Sequence, residues 1–149
     1  MILIKTATNA DWDVWLALRI SLWPLDYCSR EKHEKQMQQI LDDANKVALI
    51  AFVSDNPAGL AECSIHAYAD GCKTSNVGYL EGWYVDEKYR KQGVGRALVD
   101  AAKDWAKKMG CTEMASDCDL KNTVSRAAHA GVEFTEYSHL VHFVMKLEE

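Results

Sequence analysis

Apolar positions along this chain switch between a period near two and a period near 3.6, and the switches divide it into elements. Ile2 to Lys5 reads as a strand, and Thr8 to Asp11 as a capping box with aspartate in the place of the usual glutamate. Trp12, Trp15, Leu16, Leu18 and Leu22 then recur at helical spacing up to Trp23-Pro24, where the proline stops the helix. A more polar helix follows from Arg30 to Asp43, its thin apolar stripe made by Met37, Ile40 and Leu41. Lys46 to Val53 is a buried-strand run, and Asp55-Asn56-Pro57 turns it into a hairpin with a strand from Ala58 to about Tyr68. After a polar loop, Ala69 to Asn76, comes an apolar strand over Tyr79 to Val85, ending near Asp86. A helix then buries Val94, Leu98, Ala101, Ala102, Trp105 and Met109, with Gly110 as its C-terminal cap. A strand from Cys111 to Asp117, a helix from Asn122 to about Ala130 and a last strand from Thr135 to Leu147 complete the pattern. The expected order is β-α-α-β-β-β-α-β-α-β, without repeats or linkers.

The 149 residues, 48% hydrophobic and 26% charged, suit one domain over 1–149 with a proper core. No apolar stretch has spanning length, and the opening Met1-Ile-Leu-Ile-Lys-Thr turns polar too soon for a signal peptide, so a soluble, cytoplasmic protein is expected. Cysteines at 28, 63, 72, 111 and 118 form no CxxC pair and are read as free thiols; the histidines show no metal-ligand spacing, and no metal is expected. A net charge of −5, with basic residues gathered mainly in one segment, argues against nucleic acid and is compatible with a cationic partner.

That basic segment carries the most specific signal. Arg90-Lys91-Gln92-Gly93-Val94-Gly95-Arg96 lies between a strand and an amphipathic helix. N–H groups at a helix start lack carbonyl partners and the peptide dipoles place partial positive charge there, so the turn forms an anion cradle. Gly93 and Gly95 leave room for close approach, and Arg90, Lys91 and Arg96 add charge. The Gly-Lys-Ser/Thr ending of a Walker loop and the third glycine of a dinucleotide fingerprint are both missing.

In its strand, loop and helix context, Arg90-x-x-Gly93-x-Gly95 resembles the acetyl-coenzyme A loop of the GCN5-related N-acetyltransferases (GNAT), and the order of elements matches that family over nearly the whole chain. The resemblance implies an α/β (α+β) GNAT fold: a central, mixed, twisted sheet with helices on both faces and a bulged, splayed central strand, the bulge permitted by Gly82. It implies acetyl-coenzyme A as co-substrate. The backbone of Trp83, Tyr84 and Val85 would hold its acetyl and pantetheine portion, with the Val85 amide polarising the thioester carbonyl. Lys91, Gln92, Gly93, Val94, Gly95 and Arg96 would bind the pyrophosphate, and Asn122 would reach the pantetheine arm.

Leu22-Trp23-Pro24, Tyr68 before Asp70-Gly71, Leu80-Glu81-Gly82, and Glu113-Met-Ala-Ser-Asp117 followed by Asn122-Thr123 are similar to the aminoglycoside 6'-N-acetyltransferases in particular. That subgroup implies direct attack of the 6'-amine on acetyl-coenzyme A in a ternary complex, antibiotic resistance as outcome, and a homodimer. Glu81 and Asp117 would carry catalysis, and Trp23, Tyr68, Glu81, Asp117 and Glu136 would meet the cationic drug. A carboxylate at Glu81 serves either as the base that removes a proton from the ammonium or as its electrostatic anchor. Asp117 reads equally as a cap for the following helix. His129 stands where many members carry an acidic tyrosine and reads here as a helix-packing residue, and Glu133 in place of a glycine implies a different turn. Acetyl transfer to a polyamine, an amino acid or a protein amine keeps the same fold and loop, and a non-catalytic binder of acyl-coenzyme A or drug is the reading from another class. The apolar residues of the last strand, Leu140, Val141, Phe143, Val144 and Met145, leave an edge that pairing or exchange between copies would cover.

Overall fold

The computed structural model describes residues 1–148 as two compact units that divide after Asp117. In the first, the order is β1 (Ile2–Thr6), α1 (Trp12–Leu22), α2 (Arg30–Asp42), β2 (Lys46–Val53), β3 (Asn56–His66), β4 (Val77–Val85), α3 (Val94–Lys108) and β5 (Met114–Ser116). The strands form one sheet in sequence order, antiparallel from β1 to β4, with β5 parallel to β4. The sheet is therefore mixed, as the resemblance implies.

Strand alternation decides which residues meet which helices. Ala48 and Ile50 of β2 and Leu60 of β3 face Trp15, Leu16 and Leu18 of α1 and Met37 of α2, forming one buried cluster. Each large aliphatic buried there contributes about 1.5–3 kcal/mol. The other face receives α3. A Cβ at Gly59 would stand 3.0 Å from Leu98 and 2.6 Å from the Tyr84 carbonyl, and one at Gly78 would stand 2.8 Å from Ala106, so these glycines let the helix lie close. The expected capping box is present: the Thr8 amide donates to Asp11 at 2.9 Å, and the Thr8 hydroxyl accepts from Ala10.

Two expectations are corrected. The strand expected over Cys111 to Asp117 is reduced to Met114–Ser116, because only Gly78, Tyr79 and Leu80 of β4 pair with it. The last strand expected over Thr135 to Leu147 does not form. Residues 132–148 carry neither helix nor strand, and Phe143, Val144 and Leu147 are 90%, 94% and 87% exposed. β-propensity is realised only against a neighbouring strand, so the period-two pattern alone does not make one.

The second unit contains α4 (Thr123–Gly131), which starts on Asn122. It stops in a left-handed turn: Glu133 has φ 76°, its amide reaches the Ala130 carbonyl at 3.0 Å, and the Phe134 amide reaches that of His129 at 3.0 Å. Glu133 thus adopts the left-handed conformation that glycine usually supplies. Glu133→Gly should therefore stabilise the protein by about 1 kcal/mol, read as a higher denaturant midpoint at unchanged slope.

Candidate active site

The bulge expected in β4 is present, and Glu81 is its extra residue. Glu62 pairs with Gly82 and Cys63 with Leu80, leaving Glu81 opposite the step between them. An extra residue reverses the alternation beyond it. Trp83 accordingly lies against the start of α3, its indole N–H donating to the Gly95 carbonyl at 3.2 Å, while Tyr84 joins the cluster under α1. Gly82 serves a second purpose. A Cβ there would stand 2.5 Å from the Trp23 ring, so its absence is what admits that indole.

Around Glu81 the structure gathers groups that the sequence did not single out. Its carboxylate accepts a hydrogen bond from the Ser64 hydroxyl and lies 2.5 Å from Nε2 of His66, both on β3 and two residues apart, hence on one face. The His66 ring stacks on Tyr79 with centroids 4.1 Å apart and planes at 8°. The Tyr79 hydroxyl donates to Asp117. Burial, together with that bond and the nearby carboxylates of Asp117, Glu81 and Asp70, pushes the Tyr79 phenol well above its ordinary value, so it stays protonated as a donor. Glu81 and Asp117, the two expected catalytic residues, thus sit on either side of a His66–Tyr79 stack. His66 reaches Glu81 only through the pairing of β3 with β4, which its own neighbours in the chain do not announce.

Cys63 is no nucleophile. Burial, reinforced by Glu62 and Glu81, pushes its thiol up to about 12, which keeps it protonated at neutral pH. All five cysteines are free thiols, and no cluster suited to a metal ion occurs among the described residues.

Past Leu80 and Ser116 the parallel ladder between β4 and β5 ends, although β4 runs on to Val85. The Ser116 hydroxyl closes the last pair by donating to the Leu80 carbonyl at 3.0 Å. From Glu81 to Val85 the β4 edge therefore has no strand of this sheet beside it, the arrangement in which backbone donors can meet an extended ligand. The edge leads into the glycine turn. Gly93 caps α3 at φ 88°, Lys91 has φ 63°, and the first α3 bond runs from the Ala97 amide to the Gly93 carbonyl, so the Val94 and Gly95 amides point outward at the helix start. The Val94 side chain is buried, which restricts its contribution to the backbone. Lys91, Gln92 and Arg96 are exposed; Gln92 donates to the Lys88 carbonyl at 3.2 Å, and Arg90 braces the turn through Nε to the Val85 carbonyl at 2.9 Å.

Tyr68 is 70% exposed and donates to Asp70 at 2.9 Å, at the mouth of the loop over residues 69–76. That loop is pinned by Glu113, whose carboxylate accepts from the Lys73 amide at 2.9 Å and the Thr74 amide at 2.8 Å. The Thr74 hydroxyl and these amides hold the Glu113 carboxyl below its ordinary value of 4.5. With a lowered folded value, the anchor is complete above about pH 4.5 and is lost as pH falls through the lower value. The protection of the Lys73 and Thr74 amides against hydrogen exchange, taken relative to their intrinsic rate at each pH, should fall on acidification through that range, and Glu113→Gln should remove most of this dependence.

Asn122 and Glu136 belong to the second unit, where their contacts are internal. Asn122 caps α4 by accepting from the Ser125 amide at 3.0 Å. Glu136 forms a forked pair with Arg126 at 2.7 and 2.9 Å, and Arg126 with His139 brings its carboxyl down to about 2. His129 donates from Nδ1 to the Ser125 carbonyl at 2.8 Å and meets Phe134 edge-on, as a helix-packing histidine does.

Comparison with known proteins agrees with this geometry. The Acetyltransferase (GNAT) family matches residues 12–134. The chain is 43% identical over 144 residues, 93% of its length and 92% of the relative's, to the aminoglycoside N(6')-acetyltransferase type 1 of Klebsiella aerogenes. It is 38% identical over 146 residues, 97% of this chain and 99% of the relative, to the enzyme of the same name from Acinetobacter haemolyticus. Among solved structures, the apo aminoglycoside antibiotic 6'-N-acetyltransferase from Acinetobacter haemolyticus superposes with a TM-score of 0.92 at 37% identity, covering 98% of this chain and 99% of that one. A second, AAC(6')-Iy bound to the bisubstrate analog CoA-S-monomethyl-acetylneamine, also reaches 0.92, at 30% identity and 99% coverage of both chains.

Proposed function

We propose that this chain, which belongs to the acetyltransferase (GNAT) family, transfers the acetyl group of acetyl-coenzyme A to the 6'-amine of aminoglycosides and so confers resistance to them. The observation that carries this reading is the β4 bulge. It sets Glu81 and the Trp23 wall on one face, beside an opened strand edge that runs into an anion-binding helix start.

Acetyl-coenzyme A supplies an activated thioester. The open β4 edge at Trp83, Tyr84 and Val85 would hold its arm, with the Val85 amide donating to the carbonyl oxygen as charge develops there. The helix start over residues 91–96 would take the pyrophosphate, and Asn122 would meet the pantetheine. On the acceptor side, Trp23 and Tyr68 offer flat walls, while Glu81, Asp117 and Glu136 offer carboxylates to a polycation. Glu81 stands nearest to base chemistry, because His66 and Ser64 hold its carboxylate in a fixed direction. Tyr79 orients Asp117 in the same way.

The whole chain is read as one acetyltransferase domain acting in the cytoplasm; no described helix is long and apolar enough to cross a membrane. We read the assembly as a homodimer in which a second copy supplies the strand partner that the exposed apolar segment around Val141–Met145 calls for. Light scattering decides this, a monomeric mass at micromolar concentration counting against it. The activity is tested by release of coenzyme A thiol. Turnover is expected with 6'-amino aminoglycosides and none with a 6'-hydroxyl analogue, and turnover with spermidine or a lysine-rich peptide alone would replace the drug by another amine.

A further inference from the structure

We infer that His33 and Arg19 are positioning residues that set the Trp23 wall and register it against the Glu81 bulge. This rests on the reading of Trp23 as part of the acceptor site. The two side chains are 0% and 1% exposed, and Glu62, which completes the group, is 4% exposed.

A buried charged pair contributes little net stability compared with apolar packing, and the cluster of Trp15, Leu16, Leu18 and Met37 already holds α1 and α2 on the sheet. What a fully satisfied buried network supplies is a unique arrangement. Here the arrangement runs in one direction. Nη1 of Arg19 donates to Glu62 at 2.5 Å, Nη2 donates to Gln36, and Nε donates to Nδ1 of His33 at 3.0 Å. The other Glu62 oxygen accepts from the Trp15 indole at 2.7 Å.

Because the arginine Nε–H can only donate, Nδ1 of His33 must present its lone pair, which places the ring proton on Nε2. Nε2 therefore donates to the Trp23 carbonyl at 2.9 Å. Trp23 is the residue at which the chain leaves α1. Three contacts fix it: its amide on the Arg19 carbonyl at 2.7 Å, its own carbonyl on His33, and its ring under the Arg19 guanidinium, 4.8 Å from carbon to centroid. The same ring fills the space left by Gly82. Glu62, at the other end of the chain of bonds, is the ladder partner of Gly82 at the bulge. One buried network thus ties the aromatic wall to the backbone step that presents Glu81.

The test uses two substitutions of His33 that each keep half of its bonding. The asparagine amide reaches the Nδ1 position and can still accept from Arg19, but is too short for the Trp23 carbonyl; the longer glutamine amide reaches the Nε2 position and can donate to it. His33→Asn should raise the KM for the aminoglycoside about five- to tenfold, the worth of one such bond, with the KM for acetyl-coenzyme A unchanged. His33→Gln should return the aminoglycoside KM to within about twofold of wild type. Equal losses for both substrates in both variants, or an unmoved aminoglycoside KM in His33→Asn, would overturn the assignment. Should His33→Asn fail to fold, Arg19→Lys, which keeps the charge for Glu62 but loses Nε–H and the flat guanidinium, must show the same selective rise. A wild-type protein inert towards every aminoglycoside would sink the acceptor reading and this inference with it, whereas an active wild type with unmoved variants sinks the inference alone.

Discussion

Glu81→Gln should lower kcat roughly a hundredfold, the lower range for loss of a positioned base, while leaving the KM for acetyl-coenzyme A in place. Glutamine preserves the size of the side chain and can still accept from Ser64, so the bulge should persist. What disappears is the negative charge facing His66 and the capacity to take a proton from the incoming ammonium. A fall in aminoglycoside affinity with kcat preserved would instead assign Glu81 to anchoring. A variant indistinguishable from wild type in both constants would remove it from the site.

The second large effect is expected at the glycine turn. Gly93 adopts φ 88° at the start of α3, and an added Cβ would meet nothing closer than Ile2 at 3.9 Å. Space is therefore no obstacle on the protein side, and the constraint lies in the backbone. A β-branched residue in the left-handed region costs about 1–2 kcal/mol or more, and the turn would relax by rotating the amides that face the anion. Gly93→Val should raise the KM for acetyl-coenzyme A at least about tenfold and leave the aminoglycoside KM within about twofold. Gly95→Val tests a different cause, since its Cβ would stand 3.3 Å from the Trp83 ring and 3.5 Å from Val85, so any loss there comes from packing under the loop. An unchanged cofactor constant in Gly93→Val would remove the turn from pyrophosphate binding.

The parts of the site that could be read in advance share a physical origin. The turn over residues 90–96 announced itself because glycine, basic residues and a helical stripe lie side by side in the chain, and a helix start acts on an anion through its own few residues. The carboxylates at Glu81 and Asp117 were found by resemblance, through the Leu80-Glu81-Gly82 and Glu113-Met-Ala-Ser-Asp117 stretches. His66 escaped notice because a histidine near a strand end carries no local mark; its partner is 15 residues away and reaches it only across the antiparallel register. Trp23 was seen as an aromatic at a helix end, but nothing in Leu22-Trp23-Pro24 foretold that Gly82 makes its room or that Arg19 covers its ring.

Apolar periodicity, the Trp23-Pro24 stop, the Thr8 capping box and the glycine turn were enough to establish the order of elements as far as α4, the helix that follows the glycine turn and the family to which the chain belongs. These are interactions between residues a few positions apart, which each segment makes wherever it lies. The bulge at Glu81, the end of the β4–β5 ladder after Leu80, and the buried network joining Arg19 to Glu62, 43 residues away, depend on how distant strands and helices come into register. The apolar segment after Thr135 teaches the same lesson from the other side. Its alternation is that of a strand, yet it forms none in this chain, because a strand exists only by hydrogen-bonding to a neighbour and that neighbour is not specified by the segment's own residues.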